Sequence, residues 1–354
     1  MKLKEYGWND AWERQWEPYR AEGLEPGRVV LEHKRMYRVR TQHGELLSEL
    51  SGKLRYQAEA RGDLPAVGDW VAVAARPSEG KATIHAVLPR KSKFSRKIAG
   101  NEASEQIIAA NVDTVFLVNA VNQDFNLRRL ERYLILAWES GAEPVIILSK
   151  ADLAADRLDD YIAMADSVGM GVPIHAVSAE AGAGLDALLP YVSDGKTAAL
   201  LGSSGVGKST LVNALLGAAV QKVNDIREED GRGRHTTTHR ELLVAPTGGI
   251  VIDTPGMREL HLWEASEGLS GGFEDIESLA AQCRFADCTH EREPDCAVRK
   301  AVRDGKLEAG RFANYRKLLA ENAYIARKED QRLRMLEKKT QKKRSQFAQT
   351  IKHE

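Results

Sequence analysis

The spacing of apolar residues changes character along the chain. Residues 1–25 set Trp8, Trp12 and Trp16 at i, i+4 intervals. That spacing predicts a short helix laying its aromatic face on a neighbour, with partner binding as the competing role. From 26 to 92, RVVLEH, YRVRTQ, GELLSEL, GDWVAVAA and KATIHAVL alternate or run apolar between turn residues. Five short strands in so little chain predict a small β-barrel of the OB type, an architecture that serves both as RNA binder and as scaffold. From 111 the texture shifts. NVDTVFLVNAV, PVIILSK, VPIHAVSA, TAALLG, ELLVAP and GGIVIDTPG read as strands. NLRRLERYLILAWES, LDDYIAMADSVG, AGLDALLPYV and GKSTLVNALLG read as helices between them. Strand–helix alternation with near-continuous apolar strands predicts a parallel, doubly wound α/β sheet.

Beyond about 262 the pattern turns helical and loop-rich around three cysteines. The expected organisation is a Trp-rich segment (1–25), a barrel with a basic linker (26–100), an α/β domain (101–262), a helical cysteine-containing domain (263–326) and a basic tail (327–354). The linker PRKSKFSRKIAG carries five basic residues between Arg90 and Lys97 around Phe94. It is either a solvated connection or a strip that contacts phosphates. The tail holds ten Lys and Arg against four Asp and Glu, the composition of a helix fraying into a charged end.

Composition narrows the classes. Lys plus Arg and Asp plus Glu are each 51 among 354 residues. No basic field covers the whole protein, so any contact with nucleic acid must come from local patches. The start, MKLKEYGWND, contains no apolar signal run, and no stretch approaches the length a membrane span needs. Three clustered cysteines make a poor disulfide framework, which points to a soluble cytoplasmic protein.

Four short motifs close predicted strands. GSSGVGKST matches G-x-x-x-x-G-K-[ST] and comprises Gly202, Ser203, Ser204, Gly205, Val206, Gly207, Lys208, Ser209 and Thr210. It lies between a strand and a helix. Glycines there let backbone N–H groups turn inward around phosphate oxygens, and the helix N-terminus adds positive potential. Lys208 can reach the β and γ phosphates, and Ser209 can ligate Mg²⁺. DTPG supplies Asp253 for the Mg²⁺ shell and the Gly256 N–H for a γ-phosphate. SKAD supplies Ser149, Lys150, Ala151 and Asp152. A carboxylate at Asp152 accepts the N1–H and N2–H of guanine, donors that adenine lacks, and the Lys150 stem can cover the base plane. Ser178 and Ala179 end another strand, where the Ala179 N–H can donate to guanine O6. All four motifs sit at strand carboxyl ends, where ligands of such sheets bind.

These elements resemble the TRAFAC-type GTPases, but in altered order. Guanine-reading SKAD and SA come first, then the phosphate loop, then DTPG, as in a circularly permuted GTPase. A permutation leaves strand positions in the sheet unchanged, so the pocket can be rebuilt intact. It also places the segment after DTPG directly before the cysteine region, so a γ-phosphate contact at Gly256 could pull on that region through the chain. Between loop and DTPG, GRGRHTTTHRELL offers threonines to complete the Mg²⁺ shell, with Thr237 the choice over its neighbours. GRGRHTTT narrows the resemblance to the RsgA family of small-subunit ribosome-biogenesis GTPases, also called YjeQ or YloQ. That resemblance implies that His235 positions the attacking water, because Met257 stands where many GTPases carry a glutamine; a histidine contacting RNA or solvent is the alternative. Unassisted turnover on the order of 10⁻⁴–10⁻² s⁻¹ is then expected.

Cys283, Cys288, His290 and Cys296 supply three thiolates and one imidazole, a full tetrahedral set for one structural Zn²⁺, and they match the family's zinc segment. Three buried reduced thiols are the plainer alternative. Ser149 departs from the usual Asn or Thr. A shorter hydroxyl only partly replaces an amide that ties the base loop to the phosphate loop, so weaker nucleotide affinity is expected. The resemblance implies GTP/GDP with Mg²⁺ as ligands. It implies the 30S subunit and 16S rRNA as partners of a monomer that acts in late 30S maturation and is released on hydrolysis. Competing classes are a permuted GTPase acting on another RNA or ribosomal particle, an ATPase or kinase, and an RNA-binding module with a vestigial nucleotide fold. Asp152 argues against the ATPase, and intact Lys208, Ser209 and Asp253 against the vestigial site.

Overall fold

Five strands close a barrel near the N-terminus: β1 (Glu25–His33), β2 (Met36–Thr41), β3 (Gly44–Leu50), β4 (Trp70–Arg76) and β5 (Lys81–Val87). Their spatial order is β1-β2-β3-β5-β4, and β4 returns to β1. The β3–β5 pair is parallel and the others are antiparallel. This is the OB arrangement that the strand pattern predicts. Inward positions fill the barrel with Val29, Tyr37, Val39, Leu46, Leu50, Val71, Val73 and Ile84. The structure, a computed structural model, describes residues 3–33, 36–97, 105–169, 171–217, 240–253, 272–285, 288–320, 323 and 327.

The Trp-rich start forms α1 (Asp10–Arg20), capped by the Asn9 side chain, which accepts from the Ala11 and Trp12 amides. Trp12 and Trp16 are buried against Trp70 on the outside of β4, and the Trp8 ring stands 4.7 Å from Trp70. The aromatic face therefore serves packing. A short helix, α2 (Gly52–Gln57), links β3 to β4.

The basic linker is partly built into the fold. Arg90 turns inward and donates to both oxygens of fully buried Asp69 at 2.7 and 2.8 Å. Lys91 pairs with Asp113, and Lys93 with Glu105 at 3.0 Å. Phe94 is buried. The stretch forms β6 (Lys93–Lys97), which pairs with β7 (Glu105–Ala110), a strand the apolar pattern did not single out.

The α/β sheet contains β8 (Thr114–Ala120), β9 (Glu143–Ser149), β10 (Ile174–Val177), β11 (Thr197–Leu201), β12 (Arg240–Val244) and β13 (Ile250–Asp253). Their order is β10-β9-β8-β11-β13-β12. All neighbours are parallel except β12, which runs antiparallel to β13 and so corrects the all-parallel expectation. Phe116, Val118, Val145, Ile147, Ala198, Leu200 and Val251 bury one face. Helices α3 (Leu127–Ser140), α4 (Leu158–Gly169) and α5 (Lys208–Leu216) connect the strands. The expected helix AGLDALLPYV is instead a 3₁₀ turn, Leu185–Tyr191. Pro190 lacks the N–H that an α-helical turn requires there.

Contacts divide the chain into two units, residues 1–96 with 105–261, and 97–104 with 262–354. The second holds α6 (Glu274–Ala280), α7 (Ala297–Arg303) and a helical stretch over 309–320. Phe273, Ile276, Val298, Leu307, Tyr315 and Leu318 are buried there. Arg311 donates to Asp275 at 2.8 and 2.9 Å and lies over the Phe273 ring. The helical pattern expected beyond 262 thus resolves, after Cys296, into two helices broken around Gly305. Among the described residues, no helix is long and apolar enough to cross a membrane.

Candidate functional site

The chain places β8, β9 and β10 successively towards one edge of the sheet, then crosses to the other side of β8 for β11. The direction of winding therefore reverses between β8 and β11. Such a reversal opens a crevice at the strand carboxyl ends, because the loops on either side leave in opposite directions. Sheet register brings the motif-bearing ends level. Val177 pairs with Ser149, Ser149 with Ala120, Leu117 with Leu201, and Ala199 with Ile252.

The phosphate loop leaves β11 at Gly202. A Cβ there would stand 2.6 Å from the Val118 carbonyl oxygen, so only glycine permits the loop to rise this close to β8. Gly205 and Gly207 take φ of 76° and 90°, the left-handed region that lets successive amides turn to one side. The Lys208 ammonium donates to the carbonyls of Gly202 at 2.8 Å and Ser203 at 2.6 Å. It therefore folds over the loop in which a phosphate would lie. Ser209 and Thr210 follow in the first turn of α5.

The segments predicted to read the base lie near this loop. Ser149 is buried, and its hydroxyl donates to the Val206 carbonyl at 2.7 Å. The serine therefore makes the tie to the phosphate loop despite its short side chain, and the expected shortfall is absent from the geometry. Lys150 adopts φ 58°, which carries its stem to the loop; a Cβ at Gly207 would lie 4.0 Å from its Cε. Ala151 and Asp152 open a 3₁₀ turn, with Asp152 exposed at its start. Ser178 and Ala183 exchange backbone hydrogen bonds at 3.0 Å, which closes a tight loop and fixes Ala179 within it. Asp253 ends β13, two strands from β8. His235, Thr237 and Gly256 lie outside the described residues.

One residue of the crevice escaped the motif search. Asp124, in the loop after β8, accepts a hydrogen bond from the Ser203 hydroxyl at 3.0 Å. No short motif contains it, and the only signal in the sequence is its place between a strand end and α3.

The cysteine cluster also assembles. The four donor atoms of Cys283, Cys288, His290 and Cys296 lie within 4.8 Å of one another. Cys283 Sγ is 3.6 Å from His290 Nδ1 and 3.9 Å from Cys296 Sγ; Cys296 Sγ is 3.4 Å from Nδ1. A tetrahedral zinc, with sulfur at about 2.3 Å and nitrogen at about 2.0–2.1 Å, sets neighbouring donors about 3.5–3.8 Å apart. The donor set has the chemistry for that ion, and Cys283, His290 and Cys296 stand close to its spacing. His290 sits at φ 58°, with its ring against the two sulfurs, and burial lowers its pKa, which favours the neutral ligand form. Cys296 caps α7, its sulfur accepting from the Arg299 amide at 3.5 Å. Burial pushes the Cys283 thiol up, yet the Val298 and Ala297 amides and the neighbouring thiols hold it below its ordinary value.

Known proteins resemble this chain in sequence and fold. The family model described as RsgA GTPase matches residues 87–263. A protein of Opitutus terrae named small ribosomal subunit biogenesis GTPase RsgA is 47% identical, over 97% of this chain and 96% of its own. One of Oceanobacillus iheyensis, named small ribosomal subunit biogenesis GTPase RsgA 1, is 49% identical over 89% of this chain and 90% of its own. The crystal structure of YjeQ from Thermotoga maritima superposes with a TM-score of 0.63 at 31% identity, covering 85% of this chain and 99% of that one. YloQ, described as a circularly permuted GTPase, gives 0.60 at 25% identity over 85% of this chain and 95% of its own. With the predicted base-reading motifs ahead of the predicted phosphate loop in the chain, and with these relatives, the chain belongs to the RsgA GTPase family and its reaction is the hydrolysis of GTP.

Proposed function

We propose that this GTPase is an assembly factor in late maturation of the 30S ribosomal subunit. In this reading it binds 16S rRNA in the cytoplasm as a monomer and leaves on hydrolysis. The observation that carries the reading is the 47–49% identity, over nearly the whole chain, to proteins named for small-subunit biogenesis. The barrel of 26–100 and the cysteine domain of 263–326 flank the GTPase domain of 101–262 and are the parts available to hold RNA.

At the nucleotide, Asp152 selects guanine and the Lys150 stem covers the base, while the Ala179 amide donates to O6. Amides of 203–209 cradle the phosphates, and Lys208 moves from its two carbonyls to the β and γ oxygens. Magnesium, when bound, would supply neutralisation of the negative charge on the phosphates. Ser209, Thr237 and Asp253 are the residues that would hold it. The Gly256 amide senses the γ-phosphate, and His235 orients the water. Zinc would be held by Cys283, Cys288, His290 and Cys296; with all four positions filled by protein it has a structural role.

The test is GTP hydrolysis measured alone and with purified 30S or 50S particles. The reading predicts stimulation of at least roughly tenfold by 30S only, as ordering of catalytic groups by a partner supplies in other GTPases. Stimulation by 50S alone, or by neither, contradicts it.

A further inference from the structure

The reversal of winding places two loops on opposite walls of the nucleotide crevice, the phosphate loop after β11 and residues 121–126 after β8. A side-chain bond spans them, from the Ser203 hydroxyl to Asp124 Oδ2 at 3.0 Å. Asp124 is itself held from behind. The Arg129 guanidinium on α3 stands 3.2 Å from the same oxygen and also donates to the Asp124 carbonyl. The loop is pinned on both flanks. Asn122 accepts from the Asp124 amide at 2.9 Å, and the Phe125 ring packs edge-on against Tyr161 of α4 at 5.0 Å. The Val121 amide donates to the Ser149 carbonyl at 3.0 Å, so loop 121–126 touches both the phosphate-binding and the base-reading halves.

Ser203 is a sensitive point to hold. Its carbonyl and that of Gly202 accept from the Lys208 ammonium. When Lys208 leaves them for phosphate, those two residues lose an anchor. The Asp124 bond is then what keeps the start of the loop in place. A bare carboxylate beside phosphates would repel them, but the Arg129 ion pair offsets that charge. We propose that Asp124 is a positioning residue for nucleotide binding, acting through Ser203 to preset the phosphate loop for GDP and GTP.

The inference rests on residues 202–209 being the phosphate loop, and the experiment separates the two. Affinity for GDP and GTP is measured by displacement of a fluorescent GDP analogue from the full chain, with KM and kcat for GTP alongside. Ser203→Ala and Asp124→Ala each raise Kd roughly three- to tenfold, the range a solvent-exposed hydrogen bond supports. The double variant is no weaker than the weaker-binding single one, because both remove the same bond. Asp124→Asn keeps an acceptor oxygen and stays within about twofold of the parent. For the Asp124 variants the loss falls on KM, while kcat at saturating GTP is retained. Parental affinity in Asp124→Ala, additive losses in the double variant, or tighter binding by Asp124→Asn overturns the proposal. Lys208→Ala serves as the control: if it binds like the parent, the loop assignment falls and takes the proposal with it. If it binds weakly while Asp124→Ala does not, the proposal alone falls.

Discussion

Ser149 shows how much one side chain can be read ahead of its surroundings. The sequence identifies it as a departure from Asn or Thr and suggests a weakened tie. The structure brings the Val206 carbonyl to 2.7 Å, so a hydroxyl spans the gap that a longer amide fills elsewhere. Removing it leaves a buried carbonyl without its partner. Ser149→Ala is expected to weaken GDP binding about five- to tenfold, near 1 kcal/mol, measurable by calorimetric titration. Arg90 was less legible. In sequence it belongs to a run of cations, and nothing local marks it as different. Its partner Asp69 is 21 residues earlier and has no water contact, so the pair forms only once the barrel closes. Charge runs report composition; which member turns inward depends on tertiary contacts.

Elements follow the apolar period where one face or both faces are buried along their whole length. The five barrel strands and β8, β9, β11 and β13 all lie where the pattern places them. The pattern misleads where a local rule competes with it, as in the 3₁₀ turn at Leu185–Tyr191, whose apolar spacing suits a helix but whose Pro190 does not. The antiparallel sense of β12 was illegible because an apolar run carries no direction. In the second unit, packing is divided between a modest apolar set and the Cys283–Cys288–His290–Cys296 cluster, which anchors the start of α7. An ion held by those four residues would contribute much of the stability of so small a fold. Removing zinc with a chelator, or substituting Cys296→Ser, is expected to melt the helices of 272–320 before those of the GTPase sheet. Hydrogen exchange resolved by segment checks this: loss of protection confined to 272–320 agrees, and unchanged protection there contradicts it.

At the scale of the first unit, barrel and GTPase sheet are continuous. Antiparallel pairing of Leu31 with Glu241 and Glu32 with Arg240 joins β1 to β12 and makes one eleven-stranded sheet. Arg28 locks the junction from inside. Its guanidinium donates to Gly68 O at 3.3 Å, Asn111 O at 3.4 Å, Thr197 Oγ1 at 2.8 Å and the Tyr6 carbonyl. Burial pulls its pKa down to about 10, still charged at neutral pH. Arg28→Met should destabilise this unit by about 3 kcal/mol, read from urea unfolding, because several buried acceptors lose their donor together. None of this junction was legible from motifs, since its partners come from four separated stretches of chain. The permuted order of the nucleotide motifs was legible, because each motif is short and carries its own chemistry wherever the chain places it. The claim beneath the whole account is that SKAD and the phosphate loop serve one guanine nucleotide. Competition of GTP, ATP and XTP for the parent and for Asp152→Asn tests this most directly, because xanthine presents an acceptor where guanine presents its N2 donor. The account predicts GTP preference in the parent and a switch to XTP in the variant. ATP competing as well as GTP against the parent, or a variant with unchanged preference, would contradict it.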